Sequence, residues 1–110
     1  MTIITINEAR HVITSKFIIG EIFHSHDFIE AYRKAYELNY VTALVSNARN
    51  EHIFRQTNAE IAIFLKNHQT DLGIMQQETQ AQDETDLGLA NPIAEWKVTK
   101  LVNPEPISNN

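Results

Sequence analysis

The chain has 110 residues, no cysteine and a formal net charge of −5 at pH 7, with 43% hydrophobic and 21% charged residues. This length fits one domain with one hydrophobic core. The absence of cysteine excludes disulfides, thiolate metal sites and thiol redox chemistry. No apolar run approaches the roughly 18 residues of a membrane span, and no secretory signal is recognisable, so we expect a cytoplasmic protein that is not in the membrane.

The first part of the chain predicts two short strands around an ambiguous segment. Residues 2–6, "TIITI", are all β-branched and favour a strand that ends at Asn7. Residues 8–16 fit a helix capped by Asn7, but their neighbourhood is rich in strand-forming residues, so helix and strand both remain open. Residues 17–23 favour a strand.

An amphipathic helix is predicted over residues 28–39. Its apolar face comprises Phe28, Ala31, Tyr32, Ala35 and Leu38. Asp27 precedes this helix at the N-cap position and Glu30 follows three residues later, which is typical of an acidic capping box.

Residues 40–46 and 52–56 predict two strands joined by a polar turn, although 41–49 also fit a helical period. Thr57 and Glu60 predict a second capping box, which opens a helix over 58–69. This helix is apolar nearly all round, so we expect it at the centre of the core. Gly73 is expected to end it in a left-handed conformation.

The whole net charge falls in residues 70–90, which contain five acids and no base. Residues 76–86 have no apolar side chain larger than alanine, which predicts a linker or a solvent-exposed helix. Apolar residues then alternate with polar ones across 96–102 and predict a late strand.

These patterns predict an α+β fold, in which a short antiparallel sheet packs on two helices. We expect residues 1–73 to form the compact core, 74–91 an acidic glutamine-rich linker, and 92–110 a C-terminal strand and frayed tail of the same domain. The alternative is a mostly helical fold, because residues 8–16 and 41–49 fit either period.

Catalytic chemistry has little support in the sequence. The chain has only three glycines, no GxSxG elbow and no phosphate-binding loop. We therefore expect neither an enzyme nor a cofactor. His24, His26 and His52 provide the alternative hypothesis of a small metal- or ligand-binding protein, but the HExxH pattern is missing and Asp27 already has a predicted capping role.

The remaining features favour binding to another protein. Tyrosine and tryptophan are enriched in interfaces, although the tyrosines also fit the edge of a core. The acidic segment favours a partner with a basic surface, whereas direct nucleic-acid binding is not expected because the bases are matched by acids. The predicted partner-binding residues are Tyr32, Tyr36, Tyr40, Glu78, Asp83, Glu84, Asp86 and Trp96.

The sequence thus predicts a non-catalytic regulator or inhibitor of another protein. Immunity proteins, antitoxins and phage-encoded anti-defence proteins have comparable size and charge, which is an analogy at that level alone. A third hypothesis is a structural subunit of a homo-oligomer, built through the tyrosines or by exchange of the C-terminal strand.

Overall fold

The computed structural model describes residues 4–49, 51–77, 81–84 and 90–105, with 81–84 and 90–93 described through the backbone alone. Within these ranges the helices are α1 (Ile6–Lys16), α2 (Ser25–Ala35), α3 (Glu37–Ser46), α4 (Ile53–Asn67) and α5 (Gln69–Leu72). The strands are β1 (Ile22–His24), β2 (Ile74–Gln76), β3 (Ala81–Glu84), β4 (Ala90–Ile93) and β5 (Glu95–Val98). The α+β class is confirmed. None of the helices in the described ranges is long and apolar enough to cross a membrane.

The last strand in the chain lies at the centre of the main sheet. The strand order is β1-β5-β2, and both pairings are antiparallel. Trp96 stands opposite Phe23 on one side and Gln76 on the other. Strands β3 and β4 form a second, two-stranded antiparallel ladder that lies between β2 and β5 in the chain.

The core lies on one face of this sheet. Alternation along β5 buries Trp96 and Val98 and exposes Lys97, as expected for a sheet that is covered on one face. The helices contribute most of the other core residues, which include Ala9, Val12, Ile13, Phe28, Tyr32, Tyr40, Ile61 and Leu65.

Capping boxes start the first two helices, but not at the predicted residues. Thr5 caps α1, since its Oγ1 accepts from the Glu8 N–H at 3.2 Å while Glu8 Oε1 accepts from the Thr5 N–H at 3.1 Å. In α2, Asp27 is the third helical residue, and its Oδ2 accepts from the backbone N–H of His24 at 2.9 Å. The prediction that Asp27 is the N-cap is therefore wrong by three residues, although its carboxylate does satisfy an N-terminal donor.

Several predicted strands are helices. The described part of residues 2–6 contains no strand, and Ile6 begins α1, which also settles 8–16 as helix. Residues 40–46 belong to α3, so the helical alternative for 41–49 is correct as far as Ser46, and the strand predicted over 52–56 is wrong because 53–56 begin α4. In α1 and α3 a buried face at helical spacing outweighs the strand preference of β-branched residues. Of residues 17–23, the structure has only 22 and 23 in a strand.

The helix boundaries also differ from the predicted ones. The helix predicted over 28–39 is two helices, because the backbone breaks at Tyr36, and Leu38 is exposed rather than buried. Thr57 lies inside α4 and is buried, where its Oγ1 accepts from Asn47 Nδ2 at 3.0 Å, so it caps nothing. Helix α4 buries one side only and leaves Ile63 56% exposed, so it does not lie at the centre of the core.

The later elements fit the predictions better. Gly73 follows α5 with φ 69°, and a Cβ there would overlap the Lys100 backbone, so glycine is required at this position. The late strand is shorter than predicted and spans Glu95–Val98. Residues 74–76 and 81–84 are strands, so the segment expected to be a linker or an exposed helix contains paired backbone where it is described.

One buried hydrogen bond joins the late strand to α2. Trp96 Nε1 donates to Ser25 Oγ at 2.9 Å, and both residues are buried. Removing the acceptor leaves an indole N–H without a partner in the core.

We predict that Ser25→Ala lowers the free energy of unfolding by about 1–3 kcal/mol, because a buried donor loses its acceptor. Chemical denaturation followed by tryptophan fluorescence measures the change. The matched control is Ser15→Ala, an exposed serine whose Oγ donates to the His11 carbonyl within α1, for which we expect a change within about 0.5 kcal/mol. Equal stability of Ser25→Ala and the wild type would contradict the role assigned to this bond.

Candidate functional site

The three predicted tyrosines do not form one exposed stripe. Tyr32 and Tyr40 are buried in the core, and the backbone break at Tyr36 places them in different helices. Tyr36 is half-buried, and its ring lies edge-on to His11, whose Nδ1 is 2.8 Å from the Tyr36 hydroxyl. Trp96 is 1% exposed. Of these four aromatic residues, only Tyr36 therefore offers part of its side chain to a partner.

The Glu8 side chain of α1 forms hydrogen bonds with residues of both α2 and α3. Its carboxylate accepts from the Tyr32 hydroxyl at 3.3 Å and from Asn39 Nδ2 at 2.6 Å, which joins α1 to α2 and α3. Burial, reinforced by the Glu8 charge, raises the pKa of Tyr32 far above its ordinary value. Burial also raises the pKa of Tyr40, whose hydroxyl donates to Asn58 Oδ1 at 2.7 Å. These contacts account for Tyr32 and Tyr40 as structural residues.

The histidines of the metal hypothesis do not converge. His24 precedes α2 and His52 precedes α4, while His26 lies in the first turn of α2. Within the described ranges, no three or more His, Asp or Glu side chains are grouped so that they could hold a metal ion. The zinc site assembled from His24, His26 and His52 is therefore not present in this fold.

The structure describes two of the four acidic residues that were predicted to bind a partner. Asp83 and Glu84 lie in β3, opposite Asn91 and Ala90 of β4. Glu78 and Asp86 fall outside the described residues. The acids that are placed are therefore held in a strand of the two-stranded ladder.

A surface that sequence reasoning missed lies on the solvent side of α3. Leu38, Val41 and Val45 are 78%, 44% and 66% exposed. Their spacing of three and four residues places them on one side of the helix, away from the buried Tyr40 and Ala43. We call these three residues the outer α3 face. The available signal was that "ELNYVTALVS" contains one charged residue in ten, too few for a helix with one solvated side.

A mixed-charge cleft lies on the surface where α1 and α2 meet. Two adjoining cavities of about 470 and 320 Å³ share Lys16, Ala31 and Lys34 in their walls. Lys34 Nζ lies 3.4 Å from Glu30 Oε1, and the larger cavity is also lined by Glu21 and Asp27. Because both signs of charge line the wall, the cleft favours no single class of ligand.

The same cleft contains a serine and a histidine that do not pair for catalysis. The Ser15 hydroxyl donates to the backbone carbonyl of His11 at 2.6 Å, while the His11 ring is engaged by Tyr36. A nucleophile needs the ring nitrogen of its base within hydrogen-bond reach. This geometry provides no such contact.

Comparison of the chain with protein-family models, curated proteins and solved structures gives no match. The outer α3 face and the acidic ladder are two features that core packing does not explain.

We predict that the stability of the protein falls at alkaline pH because of its buried tyrosines. Tyrosines of the unfolded chain ionise near pH 10, whereas the folded Tyr32 resists ionisation, so alkali favours the unfolded state. This contribution is fully present below about pH 9 and is lost as pH rises from about 10 towards the folded pKa. Unfolding free energies measured from pH 8 to 11 should fall less steeply for Tyr32→Phe than for the wild type. Parallel curves would contradict the assignment.

Proposed function

We propose that the chain is a non-catalytic protein-binding module whose partner packs on the outer α3 face. The observation that carries the proposal is the exposure of Leu38, Val41 and Val45 on a helix whose opposite side is already buried. A helix that is apolar on both sides is typical of one buried on both sides. Contiguous apolar surface on a folded chain commonly marks a protein interaction site.

The size of this face defines its role. Three partly exposed side chains supply roughly 300 Å², whereas a standard interface buries about 800 Å² on each partner. The outer α3 face is therefore an anchor, and the partner needs further contacts elsewhere. The acidic segment is suited to supply them, because charge complementarity adds specificity and speeds association.

The charge of the chain also favours a different protein, and not a second copy of this chain, as the binding partner. The chain carries a net charge of −5, and all of it falls in residues 70–90. Two identical chains that meet through the outer α3 face bring these like charges into one complex, whereas a basic partner is attracted. We propose that binding takes place in the cytoplasm and that it regulates or inhibits the partner, as small immunity proteins and antitoxins do.

The proposal is tested by affinity capture from the native host with wild-type chain, Leu38→Glu and Val45→Glu. A charge buried at the centre of an interface without a partner is costly, so each variant should bind the captured protein at least about tenfold more weakly. The matched control is Ile63→Glu, which alters an equally exposed apolar residue on another helix. It should bind like the wild type, and all four chains should show the same unfolding midpoint.

Two outcomes would contradict the proposal. One is a captured protein whose affinity is unchanged by Leu38→Glu and Val45→Glu. The other is a concentration-dependent dimer of the chain itself, measured by mass in solution, that these variants abolish, since the outer α3 face would then be occupied by a second copy.

A further inference from the structure

We call the two-stranded ladder of β3 and β4 the arm. It has fewer strands than a sheet normally needs to be stable on its own. Among the described residues each arm strand has one partner, with Ala81 opposite Ile93 and Glu84 opposite Ala90. An isolated two-stranded hairpin is marginal in water, and a third strand is usually needed for independent stability. The arm is therefore a natural acceptor for an added strand.

The two edges of the arm are not equivalent, because Pro92 lies in β4 opposite Gln82. Proline has no N–H and occurs in sheets where its nitrogen faces away from the neighbouring strand. The pair of Gln82 and Pro92 is then a non-hydrogen-bonded pair, and both residues direct their backbone groups outwards. The edge of β4 lacks a donor there, whereas β3 presents the outward N–H groups of Gln82 and, two residues on, of Glu84.

The charge of β3 identifies the occupant of this edge. Asp83 and Glu84 lie in a segment, residues 70–90, that contains no base. A second copy of β3 in antiparallel pairing brings carboxylates opposite carboxylates, which is destabilising. Lysine or arginine side chains on an added strand are attracted instead.

We propose that the edge of β3 that has no partner among the described residues takes up an extended segment of the partner protein, rich in lysine or arginine, as a third strand. This inference rests on the proposed function in that it requires a protein partner. It adds a second contact, on a different element from the outer α3 face, and it names the chemistry of the partner.

The test uses the full chain and a fluorescent nine-residue peptide in which lysine alternates with threonine and valine. Its control is a copy with alternating D- and L-residues, which has the same charge but cannot form a regular strand. The L-peptide should bind at least about tenfold more tightly than the control and should slow the hydrogen exchange of the Gln82 and Glu84 amides. Equal binding of the two peptides, without slowed exchange, would overturn the proposal, because attraction would then be electrostatic alone.

Variants of the arm separate backbone pairing from charge. Gln82→Pro removes an outward donor and should weaken the L-peptide about tenfold, while Gln82→Ala keeps the donor and should bind like the wild type. Asp83→Asn combined with Glu84→Gln should weaken binding and reduce its dependence on salt. Unchanged affinity in both Gln82→Pro and the double variant would overturn the proposal. If the Asp83 and Asn91 amides of Gln82→Pro also lose their protection against hydrogen exchange, the substitution has disrupted the arm itself. The comparison of the L-peptide with the alternating D/L peptide then tests the proposal instead.

Failure here and failure of the proposed function are distinguishable. Leu38→Glu leaves the arm intact, so it should not change peptide binding even where it abolishes capture of the partner. If the chain captures its partner through the outer α3 face but does not bind the L-peptide, the proposed function stands and this inference is overturned.

Discussion

The fold depends on the burial of Trp96 in the central strand. Strand β5 comes last among the strands, yet it separates β1 from β2, which have no other neighbour in the described sheet. Trp96 is its largest side chain and donates to Ser25, 71 residues earlier in the chain, at the start of α2. Without this strand the two edge strands have no ladder, and the helices lose the apolar face on which they pack.

This arrangement uses most of the aromatic residues for packing. Trp96, Tyr32, Phe23 and Phe28 are fully enclosed, and Phe17 stacks on Phe23 with ring centroids 4.3 Å apart. The polar ends of the buried rings are satisfied within the fold, by Ser25 for Trp96 and by Glu8 for Tyr32. Side chains committed in this way are not available to a partner. Among the described residues, the outer α3 face is one surface that remains available for binding, with Leu38, Val41 and Val45 exposed.

The class of the fold could be predicted from the sequence because its strongest signals are local. Gly73 ends a helix in the left-handed conformation as expected, and the late strand around Trp96 follows from simple alternation. Helix boundaries could not be predicted in the same way. The box of Thr5 and Glu8 is the same T-x-x-E pattern as Thr57 and Glu60, and only tertiary packing distinguishes the pair that caps a helix from the pair inside one. Strand preference misled at "YVTALVS", where the buried Tyr40 and Ala43 lie at helical spacing while Val41 and Val45 are exposed.

The acidic charge of the candidate site could be predicted from the sequence, but the position of the site in the fold could not. The acidic segment is visible in composition, whereas its strand pairing is not, because "AQDE" lacks the residues that favour strands. The outer α3 face could not be placed from the sequence because α3 is apolar on both sides, and only the packed fold shows that Tyr40 and Ala43 are buried while Leu38, Val41 and Val45 are exposed.

The central claim is that the arm is energetically separate from a core that β5 holds together. Hydrogen exchange of the free chain, measured amide by amide, tests it most directly. We predict that Glu95–Val98 amides bonded to β1 or β2 exchange only through global unfolding, while the Ala81 and Asp83 amides, which face β4, exchange much faster through local opening. Equal, slow exchange of both strands would show that the arm belongs to the core and would contradict the account.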